Sequence, residues 1–220
     1  MNGTLKSAAE WREARDIVRA AGLQPYEKPA AKSWDALRAC NLLLASVPRT
    51  RPVLDAGGLP DYSYISSWLA HYGFSVDVIT LGIRDDCDAH HGRVRFRRGD
   101  ATRSGFADAT FGAVTCLSVI EHGVAIEPFF AEMERILAPG GYLIVSTDFW
   151  ETPVDTRGQT ACGAPLHVFT PPEIEEMLTM ARKYRLHPTG IIDYRCQEPV
   201  VEWFGVHYTF IDFALQRWPN

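Results

Sequence analysis

Arg51-Pro52-Val53-Leu54-Asp55-Ala56-Gly57-Gly58-Leu59-Pro60-Asp61 is the stretch on which the fold turns. Val53 to Ala56 is a short, nearly continuous apolar run that stops at two glycines. It reads as a buried strand entering a tight turn. Beyond the turn, Ile65, Trp68, Leu69 and Tyr72 recur at i, i+3, i+4 and i+7 before Gly73, which is the spacing of a helix face. A second apolar run over 74–81 predicts the next strand. Strand, turn, helix and strand in that order predict a parallel sheet covered on both faces.

The pattern continues toward the C-terminus. Residues 94–98, 111–119 and 142–146 read as further strands. Ile126, Phe129, Phe130, Met133, Ile136 and Leu137 form a helix stripe that ends at Pro139-Gly140-Gly141. Thr170-Pro171-Pro172-Glu173 is a capping box with proline in the first helical turn, and Ile174, Met177, Leu178 and Ala181 supply that helix's face. Two last strands, near 187–194 and 205–216, are separated by about ten residues, too few for a parallel crossover. The sheet is therefore expected to end in an antiparallel strand. Upstream, Trp11, Ala14, Val18 and Ala21 predict one helix, and Trp34, Leu37, Cys40 and Leu44 a second. Residues 1–50 are read as an N-terminal helical cap and 51–220 as the main α/β domain.

Composition narrows the function classes. The chain has 220 residues, 46% of them hydrophobic and 22% charged, with a net charge of −5. These are values of an ordinary globular protein. The acidic balance argues against a broad nucleic-acid face, and the run Arg93, Arg95, Arg97, Arg98 reads as a solvated strand edge. The five cysteines are widely spaced with no C-x-x-C, so neither a disulfide framework nor a structural zinc site is expected. No apolar stretch is long enough to span a bilayer, and the polar start MNGTLKSAAEWREARD carries no apolar signal core. A cytoplasmic protein acting on a small molecule, without nucleic-acid or membrane partners, is the expectation.

In open α/β sheets, ligands sit beyond the carboxyl ends of the strands. Here those ends are Asp55-Ala56-Gly57-Gly58, Gly99-Asp100-Ala101-Thr102 and Ser118-Val119-Ile120-Glu121-His122-Gly123. A dinucleotide site needs G-x-G-x-x-G and a helix start free for a pyrophosphate. Gly57-Gly58 followed by Pro60 and Asp61 suits a ligand with a cationic or zwitterionic part better. That counts against a nicotinamide-dependent oxidoreductase.

Taken together, residues 53–58, Gly99-Asp100-Ala101 with the segment 106–114, residues 116–122, and Ile136-Leu137-Ala138-Pro139-Gly140-Gly141-Tyr142-Leu143 resemble the motifs of the class I S-adenosylmethionine-dependent methyltransferases. The resemblance covers roughly residues 51 to 148. It implies a doubly wound, seven-stranded Rossmann-like sheet in the order 3-2-1-4-5-7-6 with the last strand antiparallel, and S-adenosyl-L-methionine as cofactor. Carried over, it has Gly57 and Gly58 approach the methionine moiety and Asp55 orient the turn. Asp100 would accept a hydrogen bond from the adenine amino group, with Ala101 beside it. Leu117 and Ser118 would line the pocket, and Trp34 would cover it. Two departures stand out. Leu59 and Asp61 occupy positions where the family has later glycines. Thr80 stands where an acid usually binds the ribose hydroxyls, with Asp85 or Asp86 as substitutes from the loop.

Methyl transfer from a sulfonium is an in-line displacement, in which the protein supplies positioning and, for a protonated acceptor, a base. The candidates are His122 after the fourth strand, Asp148 at the end of the fifth, and His167 in the irregular stretch 149–169. That stretch is long enough to be a lid and also holds Asp155 and Cys162. Trp203 and His207 flank the last strand and could close the pocket from below. The function expected is methyl transfer to oxygen or nitrogen of a sugar-like molecule or natural-product intermediate. The alternative is a catalytically inactive S-adenosylmethionine-binding regulator or scaffold.

Overall fold

The structure is a computed structural model that describes residues 1–62, 64–161 and 163–219. Its centre is a mixed α/β, Rossmann-like sheet. Seven strands build it: β1 (Val53–Ala56), β2 (Val76–Thr80), β3 (Val94–Arg98), β4 (Phe111–Leu117), β5 (Leu137–Phe149), β6 (Leu186–Pro188) and β7 (Val206–Arg217). Hydrogen bonding orders them β3-β2-β1-β4-β5-β7-β6. β1 to β5 are mutually parallel, and β7 runs antiparallel to β5 over eight paired residues.

The sheet has ten strands rather than seven among the described residues. The additions are short. Gly3–Thr4 pairs with Asp212 and Ile211 of β7, Cys87–Ala89 borders β3, and Val201–Trp203 folds back on β7 as a hairpin. β6 is shorter than the apolar pattern suggests. It stops at Pro188, which has no N–H to extend the ladder. β5 is longer, because residues 137–141 join the ladder across a register shift beside Phe111 and Ala113, with Gly140 at φ +80°.

Alternation along the strands sends side chains to opposite faces. Leu54, Val114, Cys116, Leu143 and Val145 meet α4 (Ile126–Ile136) and α5 (Pro171–Lys183). Val53, Val76, Val78, Ala113 and Ile144 meet α2 (Lys32–Ser46) and α3 (Tyr64–His71). The capping box forms: Glu173 Oε2 accepts from Thr170 N at 2.8 Å and from Thr170 Oγ1 at 2.6 Å.

The first fifty residues are woven into this sheet rather than set on top of it. α2 buries Ala36, Ala39, Cys40 and Leu43 in the same core as Val53 and Val76. Residues 3–4 extend the sheet itself. α1 (Ala8–Ala20) packs on α2, burying Ala14 and Val18. The basic run on β3 is a salt-bridged edge. Arg95 meets Asp77 at 2.8 Å, and Arg97 meets Asp77 and Asp86 at 3.6 Å. No described helix is long and apolar enough to cross a membrane.

Candidate active site

The carboxyl ends of β1, β2, β3 and β4 open into one cleft of about 1060 Å³. Asp55, Gly57, Gly58, Thr80, Asp100, Ala101, Leu117 and Ser118 all line it, as do His122 and Asp148. A parallel sheet produces this convergence directly, because every β-to-α turn falls on the same edge.

The turn after β1 is held from below. Asp55 is buried and accepts from Ser66 Oγ at 2.6 Å and Thr115 Oγ1 at 3.0 Å, which ties β1 to α3 and β4. Gly57 has φ +103°, and an added Cβ would lie 2.4 Å from Val119 Cγ2. Only glycine satisfies both the backbone sign and the close approach of the segment after β4. At the other end, Asp100 is exposed and Oδ1 accepts from Thr102 N and Oγ1, each at 2.8 Å. Thr80 Oγ1 accepts the Gly82 N–H at 3.1 Å, so the hydroxyl shapes the loop after β2. Asp85 and Asp86 do not line the cleft; Asp86 Oδ1 instead accepts the Arg98 N–H at 2.9 Å.

The far end of the cleft is charged and buried. Asp35, Glu121 and Asp148 are 0%, 1% and 3% exposed. Ser146 Oγ donates to Asp35, and Thr147 Oγ1 donates to Glu121 at 3.0 Å. The Tyr208 hydroxyl donates to Asp148. One cation sits among them: Lys32 Nζ, which donates to the Leu117 carbonyl at 3.2 Å. Burial first, and neighbouring carboxylates after it, push all three acids upward. Glu121 is raised to about 7, and Asp148 well above the carboxylate range. Burial and the Lys32 charge lower His122, so its ring is neutral at pH 7.

Two sequence candidates lie elsewhere. Trp34 does not line the cleft. It is buried against Leu5, Ala14 and Phe210, with the Arg38 guanidinium 4.6 Å from its ring centre. The helix decides this: Lys32 and Asp35 share one face of α2, and Trp34 and Arg38, four apart, share another. His167 is also off the cleft, with Nε2 3.0 Å from Glu173 Oε1 and its ring edge-on to Phe169. The described residues of the stretch 149–169 contribute nothing to the cleft wall. They form a small ribbon of Thr160–Ala161 with Ala164–Pro165, and Cys162 lies outside the described residues. The hairpin strand Val201–Trp203 borders the cleft instead, bringing Trp203, while His207 is not among the lining residues. Lys32, Asp35 and Tyr208 escaped the sequence reading. Asp35 follows Trp34 in a helix whose apolar stripe drew attention, and nothing local marks an acid as buried.

Two buried polar atoms on the cleft wall, Ser118 Oγ and His122 Nδ1, have no hydrogen-bond partner among the described residues. Buried polar atoms are normally satisfied, so these two stand out on the cleft wall.

Residues 62–145 match the model of a methyltransferase domain. Over nearly the whole chain, the structure superposes on 1,6-didemethyltoxoflavin-N1-methyltransferase from Burkholderia thailandensis, solved with 1,6-didemethyltoxoflavin and S-adenosylhomocysteine. The TM-score is 0.56 at 18% identity, covering 98% of this chain and 92% of that one. The fold is that of the S-adenosylmethionine-dependent methyltransferases. Sequence likeness within that methyltransferase fold is local. A demethylmenaquinone methyltransferase of Mycobacterium marinum is 35% identical over 88 residues, which cover 40% of this chain and 34% of that protein. One of Deinococcus radiodurans is 42% identical over 52 residues, covering 24% and 22%. The matched segments thus span about a third and about a fifth of those two relatives.

Proposed function

We propose that this chain binds S-adenosyl-L-methionine and transfers its methyl group to an oxygen or nitrogen atom of a small molecule. The observation that carries the reading is the convergence of Gly57, Asp100, Leu117 and Ser118 on one cleft, with unpartnered buried atoms on its wall. The residues present fit the cofactor. Asp100 Oδ2 is available to accept from the adenine amino group, and Ala101 and Val119 offer an apolar slot for the base. The Gly57-Gly58 turn allows a close approach of the amino-acid part. Thr80, whose oxygen already accepts from Gly82, would donate a single hydrogen bond to the ribose.

When bound, S-adenosyl-L-methionine supplies a methyl group on a positively charged sulfur, and the bonding pair returns to sulfur as the methyl leaves. The chain supplies alignment and exclusion of water, which are worth several kcal/mol in a displacement of this kind. Asp148, at the end of β5, is proposed to face the acceptor. The neutral imidazole of His122 is proposed to receive the acceptor's proton when the reacting group carries one. The named substrates of similar proteins, demethylmenaquinone and a toxoflavin precursor, support a small-molecule acceptor.

Calorimetry with S-adenosylhomocysteine tests the binding half of this reading. Asp100→Ala should weaken that affinity roughly ten- to a hundredfold, the worth of a hydrogen bond to a charged acceptor. Its melting temperature should hardly move, because Asp100 is exposed. Unchanged affinity refutes the assignment. Production of S-adenosylhomocysteine with a panel of phenolic, hydroxylated and amine acceptors tests the catalytic half. Binding without turnover on any of them favours the regulator or scaffold reading.

A further inference from the structure

The cleft is electrically lopsided. At its adenine end stands one exposed carboxylate, Asp100. At its opposite end, three carboxyl groups and one ammonium converge out of water, and two features set Glu121 apart there. It lies on the short 3-10 turn Ile120–His122, directly after the β4 end that closes over Gly57. It is also held in place by β5 through Thr147, so it lies between the glycine turn and the acceptor end. If the adenosine half lies along Asp100, Thr80 and Gly57, the sulfur falls toward Glu121.

We propose that Glu121 is a specificity-determining residue that reads the charge on the cofactor's sulfur. It favours the positively charged methyl donor over the neutral demethylated product. This rests on the methyltransferase reading above and deepens it. The two ligands differ only by a methyl group and one positive charge, so every contact they share cancels in the ratio of their affinities.

The electrostatics follow from what surrounds the carboxylate. Lys32 and Asp35 face it from α2, Thr147 and Asp148 from β5, and Tyr208 from β7. Cys116 lies behind it on β4, and His122 follows it in the chain. Lys32 favours the ionised form of Glu121; burial and Asp35 oppose it. Two buried carboxyl groups in contact lose their protons one after the other, and the more strongly raised member, Asp148, keeps its proton longer. The charge that appears near neutral pH is therefore on Glu121. Below that range the site is nearly blind to the sulfur's charge; above it, the donor gains an opposite charge in a low-dielectric cleft.

The test is calorimetric titration of the intact protein with S-adenosylmethionine and with S-adenosylhomocysteine between pH 5.5 and 8.5. The donor-to-product affinity ratio should rise about tenfold with a midpoint near 7. Glu121→Gln should flatten the ratio while leaving S-adenosylhomocysteine affinity near that of the native chain. Two further variants keep the idea falsifiable should that one fold poorly. Thr147→Val removes a hydrogen bond to the ionised form and should move the midpoint up. Lys32→Met removes the ammonium that favours the ionised form and should also move it up. A ratio that does not change with pH in the native protein, or midpoints indifferent to both variants, overturns the proposal while the cofactor assignment survives. Failure of both ligands to bind overturns the cofactor assignment and this proposal with it.

Discussion

The two ends of the cleft use the same functional group in opposite ways. At the end proposed to take the adenine, Asp100 stands in water with one oxygen tied to Thr102. Its other oxygen is left facing the cleft. At the far end, Asp35, Glu121 and Asp148 are sealed from water around Lys32, and each is pushed upward by burial. There the carboxyl groups store electrostatic energy that a ligand can release. An exposed acid contributes affinity through direction, whereas a buried one contributes selectivity through charge and costs stability to maintain.

The largest expected effect breaks the first end. Gly57→Ala places a Cβ against Val119 and forces a left-handed backbone on a residue that resists it. Strain and overpacking together should cost about 3 kcal/mol, or roughly 10 °C in melting temperature, and abolish S-adenosylhomocysteine binding. Native-like affinity in that variant would mean that the turn tolerates a shift of Val119 and is not a tight cradle.

A smaller effect separates the second end from the first. The Glu121 carboxyl is raised in the folded protein from its ordinary 4.5 to about 7. Between those values the folded state holds a proton that the unfolded state has lost, so this group's contribution to stability falls as pH rises from about 4.5 to 7 and then levels off. Glu121→Gln removes the penalty. It should stabilise the protein at pH 8 by on the order of 2 kcal/mol and change little at pH 5. Chemical denaturation at the two pH values checks this. Equal shifts at both would mean that the carboxyl is not the titrating group.

The smallest effect is a control outside both ends. His167→Ala removes a half-exposed ion pair with Glu173 at the start of α5. It should cost less than about 1 kcal/mol and leave ligand affinity and turnover untouched. A loss of turnover would bring the segment 149–169 back into the site.

Much of this was legible in the residues. The apolar runs ending at Gly57, Gly99 and Ser118 announce strands whose turns share an edge, because a parallel sheet admits no other arrangement. The reading failed where helix rotation and long-range docking decide. Trp34 and Asp35 are neighbours in sequence, yet one packs beneath Arg38 and the other faces the cleft. The long segment 149–169 was expected as a lid, yet it is Val201–Trp203 that borders the cleft, which it reaches only by pairing with β7.

Alternation, turn glycines and capping residues by themselves marked the parallel strands, their covering helices and the edge their turns share, since those signals act over a few residues. Tertiary structure alone decided which charges leave water together. Lys32, Glu121, Asp148 and Tyr208 come from four separate elements, and burial is a property of their assembly, not of any residue within it.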